Sequence, residues 1–321
     1  MPTCAPVRIG YGASIGHHGE IFQGQISHGG QPRRCLVSLP CNLLQSRATF
    51  RPSPDEYIQA PPGKQKAELA LRLTLRHLGV EHAGGVLTIE SNIPERKGCG
   101  SSTADCVAAV LAAAASTGQS LSDETVAAIV VGAEGASDNV MFKRAVLFAQ
   151  RDGIVLLDFG QPLPHLAVLG MDADENSVVD TMDFPPASYA PRDIETFQML
   201  ATSLDLAIRA RDVKAVGAIA TASSVINEQF LPKPRFSDIH RMAHCCGALG
   251  IAAAHSGTVL GILLDPQDPN LERKAGWLRL ELAKLRIHQT TWFTTGQDKG
   301  SSEKLWHPNL LQSSSTLTGP I

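Results

Sequence analysis

The sequence predicts an α+β protein of two lobes. Runs rich in β-branched residues, bounded by Gly, Pro or Asp, crowd the first half, and amphipathic helical runs crowd the second. The texture changes near residues 160–190, where a cleft between the lobes is expected. At 321 residues the chain is long enough for two domains, each with its own core. The expected division is residues 1–165, residues 166–297 and a polar, aperiodic tail over 298–321.

Strand signals fall at "LVSLP", "RATF", "GVLTIES", "AVLFAQ", "GIVLLDFG" and "HLAVLG". "KQKAELALRLTLRHLG" spaces Ala67, Leu71, Leu75 and Leu78 along one helical face and stops at Gly79. "SDETVAAIVVGAEG" begins with Ser122 as N-cap and acids in its first turn, where the helix dipole favours them. Two consecutive helices follow Pro191, with Asp212 capping the second, and "RFSDIHRMAHCCGALG" adds one capped by Ser237 and stopped by Gly247 or Gly250. "GIAAAHSGTVLGILLDP" reads as a glycine turn leading into one buried strand, "LERKAGWLRLELAKLR" as a helix and "IHQTTWFTTG" as a strand.

A net charge of −3, with 18% charged residues, gives no general electrostatic reason to bind nucleic acid or an anionic membrane. No apolar run approaches the ~18 residues of a membrane span, and the N-terminus lacks a signal-peptide pattern. Seven cysteines, an odd number with no C-x-x-C pair, argue against a disulfide framework or zinc site and for a reduced, cytoplasmic chain.

The most informative stretch is "ERKGCGSSTADCVAAVLAAAA", which places Gly98, Gly100, Ser101, Ser102 and Thr103 at the mouth of an Ala/Val-rich helix. Backbone amides there have no intrahelical partner and, with the helix dipole, attract an anion; glycine permits close approach of a phosphate. Ordinary capping of a core helix explains the same residues. The absence of G-x-x-x-x-G-K-[ST] excludes a Walker-type loop.

Order along the chain adds a resemblance. Pro94, Gly98, Gly100, Ser101 and Ser102 resemble the Pro-x-x-x-Gly-x-Gly-Ser-Ser motif of the GHMP kinases. "GHHGEIFQG", "AEGASDNVMF" and "AAAHSGTVLGILLD" resemble the family's substrate-side, Glu…Asp-Asn and glycine-rich third motifs, in the same order. "GSSTAD", "FLPKPRF", "AHSGTVLG" and "GEIFQG" resemble most the L-threonine kinase branch of cobalamin side-chain synthesis. The resemblance spans about residues 10–295. It implies a two-lobed fold, an N-terminal lobe like ribosomal protein S5 domain 2 and a ferredoxin-like α/β C-terminal lobe. It also implies an ATP- and Mg²⁺-dependent kinase of a small hydroxylated molecule, L-threonine first. Homoserine, serine or an amino alcohol are the alternative acceptors, a non-catalytic ligand-binding member the alternative role, and a homodimer the candidate assembly.

The resemblance lays the nucleotide over Lys97, Gly98, Cys99, Gly100, Ser101, Ser102 and Thr103, closed by Ser256 and Gly257. Ser102 and Glu134 become the Mg²⁺ ligands, an oxygen donor set suited to that ion. Asp138 aligns with the base of mevalonate kinase-like members, or else only orients the substrate beside Asn139. Glu20 is assigned to a substrate amino group; His17 or His18, and Arg144, to its carboxylate. Each has a plainer reading: Lys97 and Arg144 as solvated surface charges, Glu134 as a helix-end acid, Asp138–Asn139 as a turn, the histidines as core residues. Two departures stand out. Ser14 occupies a position where many members carry lysine, and Gly135–Asn139 differs from the branch's Pro-Thr-Asp-Ser.

Overall fold

The computed structural model describes residues 8–174 and 187–296. Among these, a single sheet runs in the order β10-β7-β9-β8-β1-β2-β4-β3, with β5 added to β2 and β6 to β5. Its strands are β1 (Gly10–His28), β2 (Gln31–Ser53), β3 (Ile58–Gln59), β4 (Gly84–Ser91), β5 (Val146–Ala149), β6 (Ile154–Asp158), β7 (Ala167–Asp172), β8 (Gly250–Ala253), β9 (Val259–Leu264) and β10 (Thr290–Thr294). The helices are α1 (Gln65–His77), α2 (Ser101–Ser116), α3 (Asp123–Glu134), α4 (Pro191–Arg209), α5 (Val213–Asn227), α6 (Phe236–Cys245) and α7 (Leu271–Lys284).

Helices α1, α2 and α3 cover β2, β4 and β5 with one apolar core that includes Leu71, Leu75, Phe50, Val107 and Phe148. Helices α6 and α7 cover β7, β8 and β9 with another, around Ile239, Ile262 and Leu278. A third core packs α4 and α5 against β1 and β2 through Phe22, Phe197 and Leu204. The two parts of the sheet meet where β1 touches β8, at the single pair Glu20–Ala253. Between the cores, a small cluster of Ile93, Cys99, Ala104, Ala254 and Val259 lies beneath the mouth of α2.

The alanine run of α2 has a geometric reason. A Cβ on Gly10 or Gly12 of β1 would stand 2.0 Å from the carbonyl of Ala112 or Ala108, so helix and strand approach to backbone contact. Small residues on both elements permit this, and α2 is buried around most of its circumference.

Several expectations change. "LVSLP" and "RATF" are parts of one continuous strand, β2, and the glycine- and histidine-rich stretch before them forms β1. The segment read as one strand after a glycine turn is the antiparallel pair β8–β9, folded about the loop 254–258. Helix α6 starts after Arg235, which takes a left-handed conformation (φ 63°), and Ser237 lies inside the helix. The caps at Ser122, accepting from Thr125 N at 3.2 Å, and at Asp212, accepting from Lys214 N and Ala215 N at 3.0 Å, match expectation. The tail 298–321 lies outside the described residues.

Candidate active site

Local chain geometry assembles the site around the first turn of α2. Gly100 precedes the helix in a left-handed conformation (φ 71°), and Ala104 N makes the first intrahelical bond, to Gly100 O at 2.9 Å. No side chain caps α2, which leaves the amides of Ser101, Ser102 and Thr103 as its free donors. The turn before it is clamped by the loop between β8 and β9. Thr258 N donates to Lys97 O at 3.2 Å, a Cβ on Gly98 would fall 2.0 Å from Ser256 O, and one on Gly257 2.3 Å from Lys97 O. Glycine at 98 and 257 is therefore demanded by contacts within the chain. At Gly100 the added Cβ would meet His17 Cδ2 at 2.4 Å, again a protein neighbour.

Two acids converge on Thr103. Helix α3 ends at Glu134, and Gly135 (φ 78°) reverses the chain so that Asp138 returns to the same hydroxyl. Thr103 Oγ1 lies 2.9 Å from Glu134 Oε2 and 3.3 Å from Asp138 Oδ2, and Asp138 N donates back to it at 3.4 Å. Exposed Ser102 also hydrogen-bonds the Glu134 carboxylate, whose side chain is only 3% exposed. Burial is the main cause that pushes Glu134 up to about 7; Ser102 and Thr103 oppose it. The nearest described cation, Lys66, stands 3.9 Å away and is itself 58% exposed. A buried carboxylate joined to an exposed hydroxyl, with so weak a counter-charge, is an oxygen donor set that fits Mg²⁺.

Beside these lies a charge relay of three side chains. His17 Nε2 is 3.0 Å from Asp138 Oδ2, and His17 Nδ1 is 3.5 Å from Glu20 Oε1. Burial by itself lowers the His17 pKa, but the charges of Asp138 and Glu20 outweigh it and raise it to about 9. His17 is therefore an imidazolium at neutral pH. Burial pushes Asp138 up, yet the His17 charge and hydrogen bond prevail and hold it below the usual carboxylate range. Its side chain stays 22% exposed, so an ionised Asp138 is accessible. Burial raises Glu20 to about 7 against the opposing His17 charge and Ser38 hydroxyl, and neither of its oxygens makes a close hydrogen bond among the described residues.

Other expected residues have different surroundings. Lys97 forms a 2.8 Å ion pair with Asp172, which also accepts from Thr258 Oγ1. Cys99 points its thiol into the apolar cluster, where burial pushes it up to about 12, and offers its carbonyl to His17 N at 3.1 Å. Both ends of the Asn139 amide brace backbone, Oδ1 accepting from Ser38 N and Nδ2 donating to Val146 O, each at 3.0 Å. His18 faces the opposite part of the sheet, 3.1 Å from Leu260 O and edge-on to Phe293; burial lowers it to about 4. Arg144 pairs with Glu124 at 2.7 Å and Asp158 at 2.5 Å, at the N-terminal end of α3. At 1.5 Å per residue, that end lies about 16 Å from Glu134, so Arg144 is not brought to the site. The sequence reading weighed both histidines and favoured His18, whereas it is His17 that meets Asp138 and Glu20. The signal that distinguishes them is strand alternation, which turns neighbouring residues to opposite faces.

Residues 65–144, which carry the α2 mouth, Glu134, Asp138 and Arg144, match the family described as GHMP kinases N terminal domain. The chain is 29% identical over 203 residues to the L-threonine kinase of Citrobacter freundii, covering 63% of this chain and 69% of that protein. Among solved structures it resembles homoserine kinase from Cytophaga hutchinsonii, at a TM-score of 0.64 and 16% identity, over 89% of this chain and 94% of that one. It also resembles a protein called MDDEF, in complex with MVAPP, AMPPCP and magnesium, at a TM-score of 0.62 and 14% identity, over 89% of this chain and 97% of that one. Residues 65–144 therefore match the N-terminal domain of the GHMP kinases, and the chain as a whole shares its two-lobed fold with the homoserine kinase structure.

Proposed function

We propose that the chain is an ATP-dependent L-threonine kinase that forms O-phospho-L-threonine. The observation that carries the reading is an accessible Asp138, kept ionised by His17, one threonine away from the Ser102–Glu134 pair. The similarity to L-threonine kinases supports threonine as the acceptor.

The free amides at the start of α2 hold the nucleotide phosphates, where the helix dipole favours anions. Ser102 and Glu134 would hold Mg²⁺, which supplies charge neutralisation for the transferring phosphoryl group. Asp138 accepts the proton of the threonine hydroxyl as its oxygen bonds to the γ-phosphorus; the bond from that phosphorus to the bridging oxygen breaks, and ADP leaves. His17 keeps Asp138 ionised before the transfer, and Thr103 fixes the spacing of the two acids. Glu20 receives the substrate ammonium, which supplies the donors its buried oxygens lack.

A coupled ADP-release assay with threonine, serine, homoserine and ethanolamine tests the reading. The expected result is the highest kcat/KM with L-threonine. A preference for homoserine or ethanolamine overturns the acceptor, and no acceptor-dependent ADP release with any of them overturns the kinase.

A further inference from the structure

The loop after β8 carries His255, which feels the charge of Asp138 and of three cations that form no ion pair among the described residues. His255 Nδ1 lies 2.9 Å from Gln23 Oε1, and its Nε2 lies 3.3 Å from Gln150 Nε2. Gln150 in turn accepts the amide of Ser137, next to Asp138, at 2.9 Å. The charge of Asp138 acts on His255, and so do those of Lys233, Arg34 and Arg151. Among the described residues, none of these three cations forms an ion pair.

Lys233 is the telling member. It is 8% exposed, and its ammonium donates to Leu231 O at 2.9 Å. Its backbone is fixed by both oxygens of Glu228, which accept Lys233 N at 3.0 and 3.1 Å. Half-buried Arg34 donates to the carbonyl of Ala187, and Arg151 is exposed. The Glu228 carboxylate acts on this ammonium only from beyond ion-pair distance, and a buried ammonium so weakly countered is costly unless an anion arrives to pair with it. Burial lowers Lys233 to about 8, which still leaves it charged at neutral pH. Opposite in sign are buried acceptors without a close hydrogen bond: both oxygens of Glu20, whose ionic neighbour His17 stands 3.5 Å away, and Oε1 of Gln150. Cations without an ion pair and acceptors without a close donor, set around His255, Gln23 and Gln150, complement a molecule with both a carboxylate and an ammonium.

We propose that Lys233, assisted by Arg34 and Arg151, forms the subsite for the carboxylate of the acceptor, so that the site selects a hydroxylated α-amino acid over the matching amino alcohol. This inference rests on the kinase reading above and names the part of that site which sets the substrate class. Lysine 233 is a specificity residue here and takes no part in the chemical step.

The test compares L-threonine with 1-aminopropan-2-ol, which keeps the amine and the hydroxyl and lacks the carboxylate. Wild type is expected to favour threonine in kcat/KM. In Lys233→Met that ratio should fall by ~10²-fold, mainly through KM for threonine, as expected when one partner of a buried charge pair is removed. Arg34→Gln, at a less buried position, should lower the ratio in the same direction, which covers a failure of the Lys233 variant to fold. A ratio unchanged in both variants, or equal losses on both acceptors, overturns the subsite. Calorimetric titration with the two compounds separates this from a failure of the kinase reading. If wild type phosphorylates neither compound yet binds threonine more tightly in a Lys233-dependent way, the kinase reading falls and the subsite stands.

Discussion

His17 Nε2 sits 3.0 Å from Asp138 Oδ2, and the same imidazole stands 3.5 Å from Glu20 on its other side. One buried cation thus acts on two acids, holding Asp138 low while burial keeps Glu20 raised, from a strand that reaches the edge between the two parts of the sheet. The ionisation of His17 should be visible in stability. Its pKa is raised in the fold, from 6.5 to about 9, so its contribution is complete below 6.5 and disappears as pH rises through 9. The stability gap between wild type and His17→Gln, from urea melts, should shrink across that window by up to about 3 kcal/mol. A gap that stays constant from below pH 6.5 to above pH 9 contradicts the imidazolium.

Thr103 connects Glu134 and Asp138 through one hydroxyl. Thr103→Val keeps the shape and removes that hydroxyl, at an expected cost of ~1–3 kcal/mol for the unpaired buried acceptor and a drop in kcat. Thr103→Ser should restore kcat. Equal activity in the valine and serine variants contradicts the spacing role.

Much of this was legible in the sequence, and the exceptions have local causes. Amphipathic spacing revealed α1, and the capping residues Ser122 and Asp212 revealed the starts of α3 and α5. Strand β1 was hidden because Gly10, Gly12 and Gly16 are poor strand formers; they are present for close contact with α2 and the 99 loop. The motif residues Ser102, Glu134 and Asp138 were identified from their pattern, and they do converge. Arg144 and Asn139 share that pattern, yet one is held by surface acids and the other by backbone, which only tertiary contacts reveal. The pairing of His17 with Asp138 and the burial of Lys233 escaped notice because a lone histidine or lysine carries no periodic signal.

Glu134→Gln retains shape and removes charge from the pair that fits Mg²⁺. Turnover should fall by ~2.7–4 kcal/mol in activation free energy, the usual cost of one electrostatic partner of a transition state. The Mg²⁺ concentration needed for half-maximal rate should rise. Wild-type turnover with unchanged Mg²⁺ dependence would remove Glu134 from the site. The neighbouring acid Asp105 is no substitute, since Ser46 at 2.5 Å and Lys64 at 2.8 Å already engage it.

Gly100 is bounded by His17 and carries a positive φ, so any side chain there is strained and displaces the imidazole. Gly100→Ala is expected to lower stability by ~1–3 kcal/mol and to lower kcat. Thermal melting with activity measured on the same samples checks this. Wild-type stability and rate would contradict the packing of His17 against the α2 mouth.

Phosphoryl transfer in this site turns on Asp138 as the acceptor of the hydroxyl proton, and ³¹P NMR of ATP, Mg²⁺ and L-threonine with wild type and Asp138→Asn tests that role most directly. Wild type should convert the γ-phosphate signal into that of a threonine phosphate ester. Asp138→Asn should form the same product ~10²–10⁴-fold more slowly, the range for loss of a general base, while ATP affinity is retained. Ester formation by Asp138→Asn within a few-fold of the wild-type rate would contradict the claim.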